Sequence, residues 1–241
     1  SAKPTTTPDG ILLMATNLRR NWGVEASIVD LNVYRNNGRY LTERETFRLI
    51  HDHFKAHGEP DVVGLSGIIT TLRWQKRVAR MVRELLPETF LVSGNGLATE
   101  VQLGLFGYIP ELDAISRSEG DEIIIKIIYD ALLIKRVGWE RTIESRKLEH
   151  YYIGEFGGRH RLKYEGDRPN DLDCFPFSDL ELLRQDVHGF YPLDQYLRVP
   201  VWGIGANNSS ATPFTMARST TSVSSRGCPH GCKYCYRGQQ G

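Results

Sequence analysis

Residues 61–100 read DVVGLSGIITTLRWQKRVARMVRELLPETFLVSGNGLATE, and this stretch decides the fold. Asp61–Ile69 is a near-continuous apolar run, the pattern of a strand buried on both faces. Leu72–Leu86 then takes up a helical period. Trp74, Val78, Met81, Val82 and Leu85 mark an inward stripe, and Lys76, Arg77, Arg80 and Arg83 a basic, solvated one. Phe90–Ser93 is a second short apolar strand, followed at once by Gly94-Asn95-Gly96. A strand, a helix and a strand in this order predict parallel pairing, because a crossover through a helix returns the chain in the same direction.

The same alternation extends both ways. Upstream, Ile11–Asn21 predicts a helix capped by Asp9 or Gly10 and ended by Trp22-Gly23. Glu25–Leu31 (EASIVDL) predicts a strand, and Thr42–His57 a helix that opens on a Thr42/Glu45 capping box and stops at Gly58. Downstream come a short helix at Leu103–Ile109, a strand at Asp113–Ser116, a turn at Ser118-Glu119-Gly120 and a helix at Asp121–Leu133. The expected fold class is therefore α/β, a Rossmann-like doubly wound parallel sheet. A sheet of this kind normally begins with a strand. Here the polar opening Ser1–Asp9 leads straight into a helix, so the first strand is expected upstream.

From Val137 the character changes. Tyr151–Ile153 and Arg161–Tyr164 suit a hairpin, and Gly166–Pro192, rich in Asp, Pro and Phe, reads as a connector. The organisation expected is a cofactor-binding domain over 1–135, a connector over 136–219 and the start of a further domain over 220–241.

Thirty Lys+Arg against 29 Asp+Glu leave a net charge of +1, which argues against nucleic acid as a partner. No apolar run is long enough to span a bilayer, and Ser1–Gly10 has no signal-peptide core, so the expected setting is the cytoplasm, away from membranes. Four cysteines do not make a disulfide scaffold. Three of them crowd together as Cys228-Pro-His-Gly-Cys232-Lys-Tyr-Cys235. Thiolates bind soft metals, and three on one short loop can each reach a different iron of a cubane while one iron stays open. A zinc site and an ordinary reduced loop are the other readings; zinc usually calls for a fourth ligand from a second pair, whereas here His230 lies inside the loop and Cys174 is distant in sequence. His53 and His57, four apart on a helix, have metal-pair spacing but read as an exposed helix face.

In open parallel sheets ligands sit beyond the carboxyl ends of the strands. Ser66-Gly67, Gly94-Asn95-Gly96 and Ser118-Glu119-Gly120 all fall there. Their small residues let a large ligand approach the backbone, or serve simply as tight turns between strand and helix. The segment around Trp202, Asn207 and Asn208 suits ligand contact or loop packing equally. No nucleophile is paired with a base at a readable spacing, so no residue is marked as catalytic.

SRGCPHGCKYCY, residues 225–236, resembles the CxxxCxxC signature of the radical SAM superfamily. The resemblance implies a [4Fe-4S] cluster on Cys228, Cys232 and Cys235, with S-adenosylmethionine on the open iron and Tyr234 near its adenine. Ahead of it, PDGILLMATNLRRNWGVEASIVDLN, DVVGLSGIITT, LVSGNGLAT and LDAISRSEGDE are similar, in order, to pieces of the cobalamin-binding domain of B12-dependent radical SAM proteins. That implies cobalamin held by Ser66, Gly67, Gly94, Asn95, Gly96, Glu119 and Gly120. The DxHxxG motif of other cobalamin domains is absent, so no histidine from it is expected below the cobalt. The implied activity is methyl transfer to an unactivated carbon through a 5′-deoxyadenosyl radical, on a small-molecule or peptide substrate, with an electron donor such as flavodoxin or ferredoxin. Two alternatives stand beside it: a radical SAM enzyme whose empty B12-like domain recognises substrate, and a non-catalytic module binding cobalamin or zinc. In this family the cysteine motif opens the catalytic barrel, so the segment is not expected to catalyse the reaction by itself.

Overall fold

A computed structural model describes residues 7–36, 41–146 and 151–198. They divide into two compact units, one built from 7–58 and 175–198, the other from 59–174.

The first unit is helical. Its α1 (Asp9–Trp22) buries Leu12, Ala15, Thr16 and Leu18. Neither Asp9 nor Gly10 caps it: Pro8 holds the N-cap position without a side-chain cap bond. It ends as expected at Gly23, whose φ of 62° is the left-handed conformation that glycine adopts without steric cost. A short α2 (Asn32–Asn36) is followed by α3 (Glu43–His57). The predicted capping box is present in full: Glu45 N donates to Thr42 Oγ1 (3.2 Å) and Thr42 N to Glu45 Oε2 (2.9 Å). The expected strand over Glu25–Leu31 does not form. In place of a sheet neighbour this β-branched run has helical company. Ile28 packs against the core of Leu12, Val33, Leu183 and Tyr196, Ser27 Oγ lies 2.8 Å from His53 Nε2, and Asp30 accepts the Tyr196 hydroxyl hydrogen. Residues 175–198 bring a 3₁₀ turn at Leu180–Leu183 to this core.

The second unit holds a five-stranded sheet. Its elements in chain order are β1 (Val62–Ser66), α4 (Leu72–Leu85), β2 (Phe90–Gly94), α5 (Asn95–Val101), α6 (Gly104–Tyr108), β3 (Ala114–Ser118), α7 (Ile123–Val137), α8 (Trp139–Arg146), β4 (Tyr152–Phe156) and β5 (Arg159–Gly166). The sheet order is β1-β2-β3-β5-β4. The first three strands and β5 run parallel, as the crossovers demand, and β4 joins β5 as the expected antiparallel hairpin. The sheet's core is Phe90, Val92, Ala114, Leu162 and Tyr164 against Ile127 and Ala131 of α7.

One expectation is corrected here. Asp61–Ile69 is not buried on both faces: β1 lies at the sheet edge, Val62 and Val63 are half-buried and Gly64 is exposed. The fully covered strand is β2, flanked on both sides, whose Phe90, Leu91, Val92 and Ser93 are all buried. The apolar runs of the two strands are alike. Position in the sheet, which no local pattern carries, sets their different burial.

Charges lock the start of the strands. Asp113 Oδ2 accepts from Leu91 N (2.8 Å) and from Arg83 Nη2 (2.8 Å), and Oδ1 accepts from Arg159 Nη1 (3.3 Å). Arg83 also donates to the carbonyls of Pro87, Thr89 and Glu111. A second network ties α7, α8 and β5, where the fully buried Asp130 pairs with Lys126 (3.0 Å) and Arg146 (2.9 Å) and accepts from Tyr164 Oη (3.2 Å). Burial, then the charge of Asp130, pushes the Tyr164 hydroxyl well above the usual tyrosine range, so it stays a donor.

His53 corrects the sequence reading in the first unit. It is buried, beside Ser27 and with its ring 4.4 Å from that of His57. Desolvation, then the neighbouring His57, lowers its pKa to about 4. The folded chain therefore binds fewer protons at this site than the unfolded chain between pH 6.5 and 4. Its stability contribution is whole above 6.5 and is lost as pH falls through that window, by up to about 1.4 kcal/mol per pH unit. His53→Gln is expected to flatten this part of the profile relative to wild type in urea unfolding followed from pH 7 to 4. Asp113→Ala strands Arg83 among buried groups and is expected to cost about 3–5 kcal/mol in the same measurement at neutral pH.

Candidate functional site

Parallel pairing in register brings the carboxyl ends of β1 and β2 level, and β3 runs two residues further. Ser66 pairs with Gly94, and Ser93 with Ile115. Each strand then runs into a short turn, and the three turns are bonded to one another. Asn95 Nδ2 donates to Ser66 Oγ (3.0 Å), Leu97 N to the Gly67 carbonyl (3.2 Å) and Ser118 N to Thr99 Oγ1 (3.2 Å). Thr99 Oγ1 in turn donates to the Asn95 carbonyl (3.1 Å). The structure thus brings together Ser66, Gly67, Gly94, Asn95 and Gly96 of the predicted site.

Two residues here pay a backbone cost. Asn95 (φ 67°) and Ser118 (φ 63°) both occupy the left-handed region, unusual for residues with a Cβ, at the ends of neighbouring strands. Such conformations cluster where surrounding structure holds a site in shape. Asn95 is exposed, and its Oδ1 accepts from Gly96 N at 2.5 Å.

The glycines are of two kinds. A Cβ at Gly94 would meet only the Ser116 carbonyl at 3.9 Å, and one at Gly96 only Ile68 Cγ2 at 4.0 Å. Both therefore leave open space above the backbone, as a cradle for a large ligand requires. Gly67 is the reverse: a Cβ there would overlap Gln75 Nε2 and Thr71 Oγ1, so the turn rests directly on α4. Gln75 is buried. Its Oε1 accepts from the fully buried Ser93 Oγ (3.0 Å), while its Nε2 has no partner among the described residues. Over the same turn Ile68 and Ile69 are 54% and 64% exposed, a pair of apolar side chains facing solvent beside the cradle.

Glu119 and Gly120 form the turn after β3. They follow Ser118, which pairs with Gly166 of β5, and a Cβ at Gly166 would overlap the Glu119 carbonyl. Cys228, Cys232, Cys235 and Tyr234 lie outside the described residues. Among the described residues no cluster of His, Cys, Asp or Glu has the arrangement of a metal site, and no helix is long and apolar enough to cross a membrane.

Sequence reasoning missed Gln75, Thr99 and the Ile68–Ile69 pair. Gln75 left a trace: it sits three residues before Val78, on the stripe where the helical period calls for an apolar side chain.

No family model matches the chain, and no solved structure matches it. Over 179 residues it is 24% identical to an uncharacterized methyltransferase of Pyrococcus horikoshii. The match covers 73% of this chain and 31% of that protein, so the chain spans under a third of the curated relative.

Proposed function

We propose that this chain is the cofactor-holding part of a cobalamin-dependent radical SAM methyltransferase. The observation that carries the reading is the cradle: three strand-end turns, bonded to one another, with open space above Gly94 and Gly96. The similarity to an uncharacterized methyltransferase supports methyl transfer, and the Cys228, Cys232 and Cys235 spacing supports an iron–sulfur cluster.

When bound, the cluster with S-adenosylmethionine supplies radical chemistry and cobalamin supplies a transferable methyl group. The chain's own residues do the positioning. Gly94 and Gly96 admit the cofactor to the backbone, the exposed Ile68 and Ile69 offer it an apolar surface, and Ser66 and Asn95 offer hydroxyl and amide groups for its polar rim. The turns carry no imidazole, so these residues would hold cobalamin through backbone, hydroxyl and amide groups. Cys228, Cys232 and Cys235 would hold the cluster, and Tyr234, by its place in the motif, would serve S-adenosylmethionine.

The test is anaerobic purification of the 241-residue chain, followed by reconstitution with iron and sulfide and titration with hydroxocobalamin. The expected product binds one cobalamin and contains iron and labile sulfide. Gly96→Leu places a side chain in the cradle on a residue of α5, where leucine favours the helix more than glycine does. It is expected to weaken cobalamin binding at least tenfold with an unfolding midpoint at or above that of wild type. Cluster without cobalamin overturns the cofactor reading, and zinc without iron or sulfide overturns the radical one.

A further inference from the structure

The cradle contains a reactive pair of a different kind. Asn95-Gly96 is an asparagine–glycine step, and a hydrogen bond from the Gly96 amide to the Asn95 carboxamide oxygen holds the two reacting groups together. Gly96 N lies 2.5 Å from Asn95 Oδ1. A carbonyl bond is short, so that nitrogen is within about 3.7 Å of Asn95 Cγ, close to the separation of near-attack conformers. Asn95 is exposed, so water reaches it, and Gly96 has no Cβ to obstruct the approach. The left-handed backbone at Asn95 is a strained state that chain rearrangement relieves.

We infer that Asn95 is a site of spontaneous deamidation in the folded protein. Gly96 N forms a bond to Asn95 Cγ, and the Cγ–Nδ2 bond breaks. The amide hydrogen of Gly96 leaves with Nδ2 as ammonia, and a five-membered succinimide remains. One water then opens either carbonyl of the ring. The product is aspartate, or isoaspartate if the main chain is rerouted through the side chain, and no atom changes oxidation state. Either product removes the Nδ2 donor to Ser66 and puts a negative charge beside Gly96. Isoaspartate also adds a methylene to the backbone where β2 passes into α5, which draws Leu97 N away from the Gly67 carbonyl. The modification therefore opens the bonds between the first two turns, whatever ligand they take.

The chain carries its own reference in a second such step, Asn37-Gly38. The experiment incubates the folded chain, and the same chain in concentrated urea, at pH 8 and 37 °C, and follows both asparagines by peptide mapping with mass spectrometry. Position 95 is expected to deamidate in the folded chain at least as fast as in urea, to give both aspartate and isoaspartate, and to slow at least tenfold in Gly96→Ala. Hydrogen exchange at the Leu97 amide is expected to quicken in the deamidated fraction separated by anion exchange. A rate at position 95 ten times or more below that in urea overturns the inference, as does unchanged Leu97 exchange its structural consequence. Both readouts are independent of cobalamin binding.

Discussion

Asp113 is a buried carboxylate at the entrance to β3, and it holds four parts of the sheet unit at once. Its side chain takes the Leu91 amide of β2, Arg83 of α4 and Arg159 of β5, while its backbone carbonyl accepts from Leu162 of β5 and its amide donates to Leu91. A buried carboxylate is tolerable only with its lone pairs filled and its charge matched, and both conditions are met here by groups from separate elements. Moving any one of them by a residue would leave a buried charge unpaired. The register of β2, β3 and β5 is thus specified by a polar penalty as well as by apolar burial.

That choice at one end of the strands sets what is possible at the other. β1 and β2 finish level at Ser66 and Gly94, and β3 runs two residues further to Ser118, whose amide donates to Thr99. The two ends differ in chemistry. The starts are crowded with guanidinium and carboxylate groups, and Arg161 there gives hydrogens to the Pro110 and Leu112 carbonyls. The finishes of β1 and β2 are held by neutral groups, namely a serine, a threonine and two amide side chains, and the Arg117–Glu165 pair lies farther along, on β3 and β5. Neutral, small and partly strained groups leave room for a ligand, whereas the charged end is filled by ion pairs and carbonyl contacts within the protein.

The legible parts of this fold are those with local causes. The Thr42/Glu45 box, the Gly23 stop, the helical stripe of α4 and the apolar run of β2 each act within a few residues of their own position. The Tyr152–Gly166 hairpin was legible for the same reason. What failed depends on partners distant in sequence. EASIVDL has strand composition but no sheet neighbour. DVVGLS looks fully buried but has one flank. His53 looks like a surface residue until Ser27, 26 residues away, is set beside it. The site divides in the same way. Strand ends and glycines pointed to Ser66, Gly67 and Gly94–Gly96, but the bonds that make three turns into one rim, through Thr99 and Gln75, arise only from packing. The close approach of Gly166 to the Glu119 carbonyl follows from the pairing of β3 with β5, a contact with no local signal.

The position of β1 also bears on how this protein behaves in quantity. Among the described residues its outer side has no strand beside it, so backbone donors and acceptors there face outward in a row. Such a row is a template for another extended chain. It is short, it contains the exposed Gly64, and Lys135 meets Asp61 at its start, all of which blunt recruitment. In colloidal terms, this edge offers a route to self-association through five residues of main chain, one that depends on occupancy of the edge rather than on charge.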